Sequence, residues 1–124
     1  MLKSDLHLHT CEGIADNFID YNAFRLIDTA MDLGFDVLSI TNHDSLTYSA
    51  YLRDYARERG IILIPGIEMT VRGKHILAYN ISNKINNAKN YHELLKLKDR
   101  DNLFIAPHPF FPSGHSLGKK LMQW

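Results

Sequence analysis

Asp5-Leu6-His7-Leu8-His9-Thr10 alternates polar with apolar residues, Leu6 and Leu8 against Asp5, His7 and His9. A period of two is the signature of a β-strand, on which residues i and i+2 point to the same face. His7 and His9 therefore project side by side, near enough for both imidazoles to hold one ion. Imidazole suits zinc, iron and manganese. Read alone, the pair is equally well explained by two histidines on a solvated strand face.

Downstream, strand and helix patterns alternate. Cys11 to Asp20 reads as a loop, and Asp20 is a good N-cap for a helix carrying Phe24, Ile27, Ala30, Met31 and Phe35, stopped by Gly34. Asp36 to Thr41 is β-rich and ends in the polar turn Asn42-His43-Asp44-Ser45. A second helix is expected from Thr47 to Arg59, with Tyr48, Tyr51, Leu52, Tyr55 and Ala56 on one face. Ile61 to Ile64 is a continuous apolar run, as in a strand covered on both faces. Ile67 to Val71 and Lys74 to Tyr79 are joined by only Arg72-Gly73, so they form an antiparallel hairpin. That register sets Thr70 opposite His75 and places Glu68 diagonally beside His75 on one face. Asn83 to Asn90 reads as a loop, Tyr91 to Lys98 as a short helix, Asp99 to Asn102 as a turn, Leu103 to Ala106 as a buried strand, and the end of the chain as a short amphipathic tail.

This order predicts an α/β fold with a mainly parallel sheet and one β-hairpin. Sites in such sheets lie at the carboxyl ends of the strands. His43, Glu68 and His108 sit at or near such ends and would converge on one rim with His7 and His9. The chain has 124 residues, one domain's worth, with 45% hydrophobic and 23% charged residues. Its zero net charge gives no basic surface for nucleic acid or membrane, so an anionic substrate must be met locally. The single cysteine, Cys11, excludes an intramolecular disulfide and fits a reducing compartment. No signal peptide or membrane-spanning run is seen, and a cytoplasmic location is the expectation.

Four stretches, taken together, resemble the successive motifs of the polymerase-and-histidinol-phosphatase (PHP) family. They are Asp5 to Thr10, Thr41-Asn42-His43-Asp44, Pro65-Gly66-Ile67-Glu68 and Ala106-Pro107-His108-Pro109. The resemblance implies a distorted β/α-barrel, phosphoester hydrolysis, and two or three divalent ions of manganese, zinc or iron. It implies metal ligation by His7, His9, His43, Glu68, His75 and His108, with Asp16 as the first-loop ligand and Glu12 as its competitor. His75 and His115 are candidate proton donors, and Arg72, Lys74 and Lys119 candidate phosphate contacts. Cys11 ranks far below these as a ligand, and His92 reads as a surface residue.

The resemblance covers residues 1–124 as the N-terminal portion of such a domain. Family members continue to a late Asp-x-His motif, and a β/α-barrel takes about 250 residues. A truncated barrel is therefore expected: a fragment, a remnant, or a half completed by another chain or a second copy. The expected partner is a small phosphorylated substrate. Two other readings stand beside the phosphoesterase: an amidohydrolase, which also opens on His-x-His, and a non-catalytic metal-binding or oligomerisation module.

Overall fold

The computed structural model describes residues 1–81 and 90–118. Strand β1 (Ser4–Leu8) is followed by a single 3₁₀ turn (Ile14–Asp16), α1 (Ala23–Asp32), β2 (Val37–Ile40) and α2 (Ala50–Glu58). Then come β3 (Ile62–Leu63), β4 (Gly66–Val71), β5 (Lys74–Tyr79), α3 (Tyr91–Lys96) and β6 (Leu103–Ile105). The strands form two three-stranded sheets. One is parallel, in the order β1-β2-β3, and the other is antiparallel, in the order β4-β5-β6. The fold is thus mixed α/β, and the expected mainly parallel sheet is only half of it. β6 pairs antiparallel with β5 instead of closing a parallel array.

A kink at Pro65-Gly66 joins the two sheets. Before it, β3 pairs with the start of β2, through Val37–Ile62 and Leu38–Leu63. After it, Glu68 makes one more parallel bridge, to His43 beyond the end of β2. The amide of Asp44 donates to the Glu68 carbonyl at 2.9 Å, and that of Glu68 to the Asn42 carbonyl at 3.3 Å. One edge of β2 and its continuation therefore carries both β3 and β4, which turns the second sheet across the first. The Tyr79 hydroxyl spans the resulting concavity, donating to the Leu6 carbonyl at 2.8 Å.

Each sheet has its own core. Ala23, Ile27 and Ala30 of α1 follow helical spacing and pack with Leu52 and Ala56 of α2 on Leu38, Ile40 and Leu63. Ile67, Met69, Val71, Ile76 and Ala78 form the second core under Leu94 of α3. Alternation on β4 sends its odd-numbered residues into that core and turns Glu68 to the opposite face.

Some expectations are corrected. Asn22, not Asp20, caps α1, its side chain accepting from the Arg25 amide; α2 starts at Ala50 under a Ser49 cap, later than Thr47. Tyr51 is exposed. The Ile61 to Ile64 run is not covered on both faces: Ile61 and Leu63 are buried but Ile62 is 60% exposed, because the kink leaves one face of β3 unlayered. β6 is an exposed edge, with Leu103 and Ile105 largely open. The Asn83–Asn90 loop lies outside the described residues except for Asn90, and Lys119 and the end of the tail lie wholly outside. Among the described residues no helix is long and apolar enough to cross a membrane.

Two residues hold the junction. Asn42 is fully buried: its Oδ1 accepts from the Thr10 amide at 2.7 Å, and its Nδ2 donates to the Thr10 hydroxyl at 2.9 Å and the Thr47 hydroxyl at 2.7 Å. A Cβ on Gly66 would collide with Ser39 Oγ and stand 3.0 Å from Thr41 Cγ2. Asn42→Ala, which strands these buried partners, is expected to lower unfolding free energy by about 2–4 kcal/mol. Gly66→Ala is expected to lower it by about 1–3 kcal/mol through overpacking. Urea denaturation checks both.

A third prediction concerns pH. The Asp28 carboxylate accepts from Arg59 and from the Tyr55 hydroxyl, which hold its pKa below the ordinary range. A depressed carboxylate stabilises the fold above its unfolded pKa and loses that contribution as pH falls. The Tm advantage of the wild type over Asp28→Asn should therefore be constant above about pH 5 and shrink in acid.

Candidate metal centre

Glu68 is 1% exposed and stands at the middle of the site. Its Oε2 lies 3.0 Å from His7 Nε2, 3.1 Å from His9 Nε2 and 3.3 Å from His43 Nε2. Its Oε1 lies 2.8 Å from His75 Nδ1 and 3.5 Å from His108 Nε2. One buried carboxylate is thus ringed by five imidazoles from four segments. β1 and the residue just past its end deliver the first two, with ring centroids 5.2 Å apart. His43 follows β2, and His75 enters at the start of β5, whose antiparallel direction brings that end to the same rim. The hairpin register is the expected one, Thr70 opposite His75. His108 lies between two prolines with φ of +33°, a left-handed backbone that strains a residue other than glycine. Its Nδ1 faces the Ser116 hydroxyl at 3.4 Å.

Asp16, also 1% exposed, supplies the second carboxylate. Its Oδ1 is 2.8 Å from His43 Nδ1 and 3.1 Å from His9 Nδ1, and its Oδ2 accepts from the His43 amide at 2.8 Å. A Cβ on Gly13 would collide with this carboxylate, so the close turn requires glycine there. Glu12 is elsewhere: its side chain accepts from the Ala23 amide at 2.8 Å and caps α1. Cys11 joins none of the ligand groups among the described residues. His92 is exposed on α3.

Electrostatics follow from this crowding. Burial alone would raise the pKa of Glu68, but hydrogen bonds from His7 and His9 and nearby imidazole charge hold it far below the usual carboxylate range. Burial likewise opposes ionisation of Asp16, yet the His43 amide and ring keep its pKa low. His9 resists charging through burial, but Glu68 and Asp16 outweigh that and raise its pKa. Burial and the neighbouring imidazoles of His43 and His115 lower that of His75, against the pull of Glu68.

The donor set fits divalent cations. His9 Nδ1 and Glu68 Oε1 are buried without an aligned hydrogen bond, although each has an opposite donor or acceptor atom near 3 Å. Three triads gather ligand atoms within 4.8 Å: His7-His9-Glu68, His9-Asp16-His43 and His43-Glu68-His75. Imidazoles and carboxylates gathered at this spacing suit divalent cations.

The site opens into a cavity of about 530 Å³, whose far wall is Phe111, Ser113 and His115. The His115 ring stacks on His75 at 4.5 Å between centroids. Arg72 and Lys74 do not line this cavity. Arg72 is exposed at the hairpin turn with φ of +51°, and Lys74 Nζ donates to the Gly114 carbonyl at 2.7 Å, tying down the loop that carries His115. Sequence reasoning missed Asn42, Tyr79, Ser116 and Phe111. Of these, only Asn42 lay inside a quoted motif.

The two first-loop carboxylates make separable predictions. Asp16→Asn is expected to weaken manganese or zinc binding about 10- to 100-fold, as for groups that bind or orient ligands. Glu12→Ala should leave that affinity unchanged and lower stability by about 1 kcal/mol through the lost acceptor for the Ala23 amide. Isothermal titration and thermal unfolding of both variants check this.

No protein-family profile matches the chain. An uncharacterized protein of Methanocaldococcus jannaschii is 27% identical over 128 residues, covering 97% of this chain and 75% of that protein. An amidohydrolase from Chromobacterium violaceum, solved with bound sulfate and no metal, matches with a TM-score of 0.54 and 27% identity over 64% of this chain. A Bifidobacterium adolescentis protein assigned to the metal-dependent phosphoesterases matches with a TM-score of 0.54 and 22% identity over 76% of this chain. This chain spans only 28% and 31% of those two solved chains. Over that portion it shares the fold of metal-dependent hydrolases.

Proposed function

We infer that this chain is a metal-dependent phosphoesterase of the PHP kind, hydrolysing a phosphomonoester or nucleotide-type phosphate. The carrying observation is the Glu68 carboxylate ringed by His7, His9, His43, His75 and His108, with Asp16 beside His9 and His43. These seven residues would hold two or three ions of manganese, zinc or iron. Bound divalent ions supply Lewis acidity, lowering the pKa of water and neutralising phosphoryl charge.

The chain's own residues do the rest. Glu68 stays ionised and fixes the imidazoles in one arrangement. The second nitrogen of His43 is hydrogen-bonded to Asp16, which orients that ring, and the second nitrogen of His9 lies 3.1 Å from the same oxygen. In hydrolysis a water oxygen bonds to phosphorus, the ester P–O bond breaks, and the departing oxygen takes a proton. His115 would give that proton, a reading supported by its exposure in the cavity wall and its stacking on His75. His75 shares this role less directly, since its Nδ1 faces Glu68. The open edges of β1 and β6 are where the remainder of a barrel, or a second copy, would pair. The partner proposed for the site is a small phosphorylated compound, in a cytoplasmic protein.

The likeness to the C. violaceum protein favours a second reading, an amidohydrolase. Among the described residues no lysine lines the cavity, so a lysine bridging two metals, usual in that superfamily, has no counterpart among them.

The test is metal content and phosphate release by the purified chain with added manganese, over a panel of phosphomonoesters and a parallel panel of amides and lactones. Phosphate release with bound metal is expected. His7→Ala with His9→Ala should remove the metal while leaving the fold intact by circular dichroism. Absence of both metal and phosphate release would overturn the proposal, and turnover of amides alone would establish the second reading.

A further inference from the structure

The geometry points to a subsite for a planar aromatic group on the Phe111–His115 wall, so that the substrate is a monophosphate ester carrying an aryl or heteroaryl body. This rests on the phosphoesterase reading above and adds the substrate class.

Volume comes first. At about 30 Å³ per water-sized group, five phosphate heavy atoms and three ions fill on the order of 240 Å³. The cavity holds about 530 Å³, so more than half is left for the rest of the substrate. That remaining space is bounded by rings. Phe111 is 64% exposed, and its ring meets His108 edge-on at 6.3 Å. The His115 ring lies nearly parallel to His75, at 16°.

The wall is braced rather than loose. The Phe111 amide donates to the His108 carbonyl at 3.0 Å, and the Ser113 amide to the Phe111 carbonyl at 2.7 Å. The Gly118 amide closes the loop on the Pro109 carbonyl at 2.7 Å, and the His75 amide holds the His115 carbonyl at 2.9 Å. A large apolar ring held open to water on a fixed loop, beside an otherwise polar site, is a recognition surface.

Charge narrows the class further. Among the described residues neither lysine nor arginine lines the cavity, so among them only imidazoles are there to meet phosphate charge, and the Phe111 side offers a ring rather than a cation. A single phosphoryl group on the metal side and a flat uncharged body against Phe111 satisfy both ends, because aromatic groups stack on a ring with little regard to their detailed chemistry.

The test uses the manganese-loaded full chain and two phosphonates that are not hydrolysed. Phenylphosphonate is expected to bind about tenfold tighter than methylphosphonate in calorimetric titration. Phe111→Ala should shrink that ratio to about twofold with an unchanged Tm, and Phe111→Trp should keep it. Equal affinities in the wild type, failure of both to bind, or a preference that survives Phe111→Ala would each overturn the subsite. Turnover of phenyl phosphate and glycerol 2-phosphate is measured in parallel. If neither ester releases phosphate while the phenyl preference and its loss in Phe111→Ala hold, the phosphoesterase reading fails and the aromatic subsite stands.

Discussion

The structure depends on keeping the Glu68 carboxylate charged in a nearly water-free position. An isolated buried carboxylate is costly enough to neutralise itself. Here burial is outweighed by imidazole nitrogens gathered around both oxygens, three within 3.3 Å of Oε2 and two within 3.5 Å of Oε1. The same five imidazoles carry lone pairs that carboxylate hydrogen bonds alone cannot use. The site is therefore built around one negative charge and has ligand capacity to spare, as a shell made to hold cations does.

That charge can be placed only because the two sheets meet where they do. Had β3 run straight on, the residues after Leu63 would have continued along β2, and no antiparallel sheet could have faced β1. Pro65-Gly66 bends the chain, and Gly66 alone fits against Ser39 and Thr41 at the bend. Glu68 then stays in register with His43 while its carboxylate enters the concave face. Asn42, next to His43, uses its whole amide to tie the end of β1 to the turn after β2. The Asn42 bonds hold these turns without using any of the candidate ligand side chains.

The parts of this design legible in the sequence are those fixed by local periodicity. His7-x-His9 on a strand must share a face, and a two-residue turn at Arg72-Gly73 must set Thr70 against His75. Both follow from the geometry of extended chain, and both occur. Asp16 and Glu12 could not be separated by pattern, because the choice turns on which carboxylate the 3₁₀ turn carries inward. The pairing of β6 was not legible either. A short apolar run such as Leu103 to Ile105 reads the same in a parallel or an antiparallel sheet, and the neighbour that decides it is far away in sequence. Ile62 misled for a related reason: apolar composition says that a face could be covered, not that anything lies there.

The loop from His108 to Gly118 connects the histidine cluster to the outer wall of the cavity. His108 is held toward Glu68 in a strained backbone conformation. Such strain persists only when the surroundings over-determine it. The Ser116 hydroxyl beside His108, the Lys74 amine on Gly114 and the backbone bonds of the hairpin to His115 supply that determination. The same bonds fix Phe111 and His115 as the outer wall. A loop that merely delivered one ligand could end at His108. This one continues, returns to β5 and presents two rings to the cavity, so the histidine cluster and the outer wall of the cavity are positioned by a single set of contacts.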